Sequence, residues 1–165
     1  MKIGGREIKG KNRVTVVFPR EGGEDIAFIA EAVSDFSRIN EFINMPEPPV
    51  IQKPGGVVEK NFNDSGYKAQ IDSYNITRMA WIVLESLKPS KIEWDTVDMD
   101  NPSTWTNYTK DLEQAGFSDI EINLIGNAVL EANALDEEKL EAARKVFLHG
   151  QVEAEKSTSG QRTPQ

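Results

Sequence analysis

The chain of 165 residues contains no cysteine. That removes disulfides, thiolate nucleophiles and Cys-ligated zinc or iron–sulfur centres together, and it fits a reducing cytoplasm. Histidine occurs once, at His149, so no metal site built from several imidazoles can form. No run of 18 apolar residues is present, and no membrane span is predicted. The opening MKIGGREIKGKNR is charged but has no apolar stretch behind it, unlike a secretory signal. Basic residues are in the minority, 19 Lys and Arg against 27 Asp and Glu, for a net charge of −8. That balance argues against general nucleic-acid binding, because phosphate contacts need cations. Catalytic signatures are missing as well. GGREIKG has neither the GK[ST] ending of a P-loop nor dinucleotide spacing, and no serine stands in G-x-S-x-G.

What is present is enough for one compact domain, or for two small lobes sharing a core, with 38% hydrophobic residues. The charge is uneven. Residues 1–20 carry a local +5, so the rest of the chain carries −13. The simple reading is a solvated basic edge on an acidic protein. The sharper reading is a basic arm that docks an acidic partner, another copy of the chain included.

Periodicity divides the chain. MKIGGREIKG reads as a short strand with a Gly-rich turn, and RVTVVF (13–18) as a β-branched strand. DIAFIAEAV (25–33) reads as a second long strand, antiparallel to it, with Ile26, Phe28, Ala30 and Ala32 on one face; helix competes there because Ala and Glu favour it. Ser34 or Asp35 caps a short helix carrying Phe36, Ile39, Phe42 and Ile43. MPEPPVIQKPGG (45–56) holds four prolines, which exclude a helix or central strand and predict an extended connector.

A long helix begins at Asp64 or Ser65 and runs to about Leu87, where Pro89 stops it. Its end MAWIVL is apolar all round and should be buried on several sides. Asn101–Pro102 is a helix start, with Trp105, Tyr108 and Leu112 on one face and Gly116 as the stop. Ser118 and Glu121 form a capping box, with Phe117 and Ile122 placed for a hydrophobic staple, on a helix running to about Ala132. Asp136 caps a last helix with Leu140, Ala143, Val146 and Phe147 inward; Arg144, Lys145 and His149 sit near its end, and Gly150 closes it. Residues 151–165 have almost no apolar content and predict a disordered tail. The expected fold is α+β: a small N-terminal antiparallel sheet or hairpin followed by a mainly helical C-terminal bundle. Its parts are a hairpin with a short helix (1–44), a Pro-rich connector (45–63), a helical bundle (64–150) and the tail.

IEWDTVDMDNPSTW (92–105) sets Glu93, Asp95, Asp98 and Asp100 between two tryptophans. An EF-hand loop needs acids at alternate positions and Gly at the sixth. Counted from Asp95, positions three and five are Val97 and Met99; counted from Asp98, position five is Pro102 and position six Ser103. Both registers fail. A catalytic carboxylate pair is not excluded by spacing, but nothing singles out a second partner. Acids just ahead of a helix favour its N-terminus, and that reading is preferred.

The ordered set GGREIKG…VTVVFPR, INMPEPPVIQKPGG, MAWIVLESLKP with IEWDTVDMDNPSTW behind it, and AGFSDIEINLIGNAVLEANALDEEKLEAARKVFL resembles tail assembly chaperones of long-tailed, siphovirus-like bacteriophages over about residues 1–149. The resemblance implies a non-enzymatic factor without cofactor or metal. It would act in the host cytoplasm and be absent from the mature virion. Its implied partners are the tape-measure protein, whose apolar surface it coats, and the tail-tube protein; homo-oligomerisation is compatible. On that reading helices 118–148 form an apolar groove for an amphipathic segment, with Ile125, Val129, Leu130, Val146 and Phe147 as candidate contacts. Pro46, Pro48 and Pro49 are candidates for docking through the connector. The alternative is a structural protein of the head or tail, whose N-terminal strands pair with neighbouring subunits. A third reading is a small enzyme using the acids of 93–100.

Overall fold

The computed structural model describes residues 1–134, 137–142 and 144–146. The predicted Asp136 cap, Ala143, Phe147, His149, Gly150 and the tail lie outside them.

Two short strands open the chain, β1 (Lys2–Ile3) and β2 (Arg6–Glu7), joined antiparallel across Gly4 and Gly5. Both glycines have positive φ, +57° and +79°, the geometry a tight two-residue hairpin requires. β3 (Arg13–Phe18) and β4 (Ile26–Glu31) form the predicted antiparallel hairpin, with Val14 opposite Ala30, Val16 opposite Phe28 and Phe18 opposite Ile26. Strand wins over helix at β4 because alternation turns Phe28 and Ala30 to the core together with Phe18. A 3-10 helix, Phe36–Glu41, follows, capped by the Asp35 carboxylate, which accepts the Ser37 N–H.

The connector departs from expectation. Residues predicted to be merely extended pair into a third hairpin, β5 (Val50–Gln52) with β6 (Val58–Lys60). The prolines sit outside these strands, so no ladder donor is lost.

α1 (Ser65–Ser86) starts under Asp64, whose carboxylate accepts the Tyr67 N–H at 2.8 Å. Its last turns, Ala80–Leu84, are buried on every side as predicted, whereas the first half has one half-buried face at most. A 3-10 turn, Lys88–Ser90, ends it, and the Ser90 hydroxyl accepts the Ile29 N–H and donates to the Ile29 carbonyl. One side chain thus satisfies both backbone groups of Ile29.

The helix predicted from Asn101 is split into a 3-10 helix, Pro102–Asn107, and α2 (Tyr108–Gln114). Gly116, at φ +92°, turns the chain into α3 (Asp119–Ala132). The predicted capping box is present: Ser118 Oγ accepts the Glu121 N–H and Glu121 accepts the Ser118 N–H. Ser118→Ala is expected to cost about 1 kcal/mol in urea unfolding.

One core joins the elements. Phe18, Phe28 and Phe117 pack edge-to-face with centroids 5.2–5.9 Å apart. Arg20 lies 4.7 Å over the Phe117 ring and donates to Glu121 at 2.6 Å, which fastens the β3–β4 hairpin to the start of α3. At the other end of α3, Asn12 donates to the carbonyls of Glu131 and Ala132, while Asn133 accepts the Val33 N–H and donates to Ser86. These contacts cross the predicted 1–44/64–150 boundary, so hairpin and helices share a single interior.

The prediction for the last helix needs correction. Residues 137–142 and 144–146 are helical, but Leu140 and Val146 are exposed, not inward. The apolar face of α3 is already occupied by the β3–β4 hairpin and α1. Among the described residues, no helix is long and apolar enough to cross a membrane.

Candidate interaction surface

The acids of 93–100 are all exposed, and their segment is held by short-range bonds, by the Asn107 amide donating to the Thr96 carbonyl, and by one further carboxylate. Asp98 Oδ1 accepts the Asp100 N–H at 2.9 Å, and the Asp98 N–H donates to Thr104 Oγ1. Asn101 Oδ1 caps the 3-10 helix through the Ser103 N–H. The carboxylate that organises the loop is Asp111, on α2 and only 5% exposed. Its Oδ2 accepts the N–H groups of Asp95 and Thr96, each at 2.9 Å, and its Oδ1 accepts the Thr96 hydroxyl at 2.6 Å. Burial by itself raises the Asp111 pKa; the Thr96 hydroxyl and the two N–H groups outweigh it and, with Lys110, hold the carboxyl below the usual aspartate range.

Sequence reading missed Asp111. The available signal was its position, three residues after Tyr108 and next to Leu112 on the inward arc of that helix. Its lone pairs are taken by the loop, so it is a structural anchor. Among the described residues, no group of three or more His, Asp or Glu side chains is arranged to hold a metal ion.

Asp98→Asn keeps the oxygen that accepts the Asp100 N–H. It and Asp100→Asn are expected to change stability by no more than about 0.5 kcal/mol. Millimolar calcium or magnesium is expected to leave the thermal midpoint in place. A rise of several degrees that either variant abolishes would make the loop a cation site.

The residues proposed for partner binding separate. Ile125 and Val129 are fully buried in the core and closed to a partner, and Leu130 is half-buried. Val146 is 74% exposed; Phe147 lies outside the described residues. The groove expected between helices 118–148 therefore does not form from Ile125 and Val129, because α3 spends that face on the hairpin. Pro46 and Pro48 are half-buried and Pro49 is exposed. Pro46 lines a groove with Ile43, Asn44, Gln70, Ser73, Tyr74 and Thr77, between the connector and the first half of α1. No lining residue is charged, and the amides and hydroxyls among them suit the backbone of an extended or helical segment.

A second uncharged groove lies along the same helix, lined by Ile76, Met79, Ala80, Thr106, Tyr108 and Thr109. It is the more apolar of the two, and Ile76 and Met79 remain open to solvent. Two ribbons add exposed surface. Every residue of β1 and β2 is exposed, with Lys2, Arg6, Lys9 and Lys11 in or just after them. Every residue of β5 and β6 is exposed too, and Val50, Ile51, Val57, Val58 and Phe62 are apolar. No protein family, curated protein or solved structure matches the chain.

Proposed function

We propose that this chain is a non-enzymatic phage tail assembly chaperone that holds an amphipathic segment of the tape-measure protein and brings it to tail-tube subunits. The observation that carries this reading is the uncharged groove between the Pro46 connector and Tyr74 of α1, in a chain of which 28% is charged. Interface centres are depleted of charge and keep it at the rim. A helical segment seated there would cover Tyr74, Thr77 and Ile43, while the acidic exterior keeps the complex soluble. The ordered motifs that resemble such chaperones supply the partner's identity. They also supply the site of action, the host cytoplasm, and the factor's departure before the virion matures.

Co-expression with the phage's own tape-measure protein tests it. This chain should keep the tape-measure protein soluble and co-purify with it. Pro46→Ala with Tyr74→Ala should weaken capture at least tenfold while the thermal midpoint stays within a few degrees. Insolubility of the tape-measure protein with and without this chain would reject the proposal. A second reading, a structural head or tail protein, is favoured by the two projecting ribbons, which suit pairing with neighbouring subunits. Mass spectrometry of purified particles separates the two: stoichiometric abundance in virions supports the structural protein.

A further inference from the structure

The two edges of the β3–β4 hairpin are finished differently. The Ala32 N–H donates to the Asn12 carbonyl at 2.9 Å, and the ladder alternates from there. Val14, Val16 and Phe18 therefore bond to β4, while Arg13, Thr15 and Val17 direct their N–H and C=O groups to the far side. On the β4 edge, Ser90 takes both backbone groups of Ile29, and Asn133 accepts the Val33 N–H. On the β3 edge, the outward groups of Arg13, Thr15 and Val17 have no partner among the described residues. All three residues are exposed. An open edge is a template for another strand unless a proline, a bulge or an inward-pointing charge blocks it. β3 has none of these: its register is continuous, its inward residues are Val14, Val16 and Phe18, and Pro19 comes after the strand. We infer that β3 is a dimerisation edge. Two copies pair their β3 strands antiparallel about a two-fold axis at Thr15 and join their hairpins into one continuous sheet.

The edge selects a second copy because it is complementary to itself in one register. With Thr15 opposite Thr15 of the second copy, Arg13 falls opposite Val17 and Val17 opposite Arg13, so every outward group of the strand is used. A register slipped toward the C-terminus sets Arg13 against Pro19, which has no N–H to give. One slipped the other way leaves Val17 beyond the start of the strand.

The side chains agree with that register. On the solvent face Thr15 meets Thr15, a favourable cross-strand pair. The two Arg13 side chains, each already paired with Glu31, stand at opposite ends of the ladder and never face each other. On the inner face Val14 meets Val16, both half-buried and packed beside the core. An extended peptide would offer the same backbone groups but must first be ordered; a second β3 is already held straight by its own β4. An isologous contact also closes, so it yields a dimer and not a filament. The inference is independent of the chaperone reading, which uses the groove beside Pro46.

Light scattering on the full chain should give about twice its 18.4 kDa at roughly 10–100 μM, the range suited to a small interface. Hydrogen exchange at the Arg13, Thr15 and Val17 amides should slow as concentration rises, and that at Val14 and Val16 should change less. Thr15→Pro removes an N–H that β4 does not use and should raise the dissociation constant at least tenfold with unchanged circular dichroism. Thr15→Lys sets two lysines against each other on the axis and should do the same, which covers a proline that disturbs the hairpin. Because the chain has no cysteine, Thr15→Cys should oxidise to a covalent dimer, since paired Cα atoms in such a ladder stand about 5.5 Å apart, within disulfide reach. Val17→Cys, placed opposite Arg13, should not. A monomer up to about 100 μM overturns the inference, with or without capture of an extended peptide at β3. So does a dimer that both Thr15 variants leave intact, or a Val17→Cys crosslink as ready as that of Thr15→Cys.

Discussion

Asp111→Ala is expected to destabilise the protein by roughly 3–5 kcal/mol in urea unfolding. Hydrogen bonds to a charged group contribute about 1.5–3 kcal/mol each, and removing the acceptor leaves buried donors unpaired. Three donors converge on this carboxylate: the N–H groups of Asp95 and Thr96 and the Thr96 hydroxyl. Water can reach some of them in the variant, since Asp95 and Thr96 are exposed, which keeps the total below the simple sum. Asp111→Asn should fall between, at about 1–3 kcal/mol, because one amide oxygen survives while the NH₂ group faces donors. Hydrogen exchange should show the loss first at Asp95 and Thr96. A cost under about 1 kcal/mol for Asp111→Ala would mean the loop is held by its apolar residues Ile92, Trp94 and Val97 alone.

The same carboxylate predicts an acid limb. Its folded-state pKa lies below the unfolded value, so its contribution is complete above the ordinary aspartate range and is lost as pH falls through the folded value. Glu121, lowered by the Ser118 N–H and by Arg20, and Glu31, lowered by Arg13 and Lys11, act in the same direction. The urea midpoint should be flat from neutral pH down to about 5 and fall below roughly pH 4.5. Asp111→Asn should flatten that fall.

Local signals were legible in the sequence where a short stretch decides its own conformation. The Ser118–Glu121 box, the Asn101–Pro102 start and Gly116 each work through bonds within a few residues, and each was found where expected. The antiparallel pairing of β3 with β4 followed from alternation and the short turn between them. Partnering across the chain was not legible. Nothing in periodicity says that α3 faces the hairpin instead of the last helix, since Ile125 and Val129 would look the same against either. Asp111 was hidden for a related reason: its three donors lie 15–16 positions upstream, and a carboxylate on a helix is ordinarily a solvated one. The ribbon at 50–60 was masked by its prolines, which flank the strands without entering them. Of the candidate partner residues among the described ones, Pro46 lines a surface groove while Ile125 and Val129 are buried, because exposure depends on which apolar face the fold has already consumed.

Trp105→Ala is expected to have the other large effect, about 4–5 kcal/mol, enough to leave a domain of ordinary stability close to unfolding. The side chain is completely buried. Its ring meets Phe42 edge-on at 5.5 Å, and its Nε1–H donates to the Met99 carbonyl at 3.3 Å. It therefore ties together the segment after the β3–β4 hairpin, the acidic loop and the end of α1. Trp105→Phe should cost less, about 1–3 kcal/mol, losing the indole hydrogen bond and part of the ring volume but keeping the aromatic contact. Trp94→Ala is the control: half-buried and facing Tyr108 at 6.4 Å, it should cost only about 1–2 kcal/mol. Urea titration followed by circular dichroism ranks the three. If Trp94→Ala costs as much as Trp105→Ala, the loop and not the helix start holds this end of the core. The ranking bears on the surface as well, because Thr106, Tyr108 and Thr109 form one wall of the groove beside Ile76 and Met79. That wall is built on the turn that Trp105 anchors, so Trp105→Phe should keep both fold and groove. Trp105→Ala should lose the groove at lower denaturant than it loses helix.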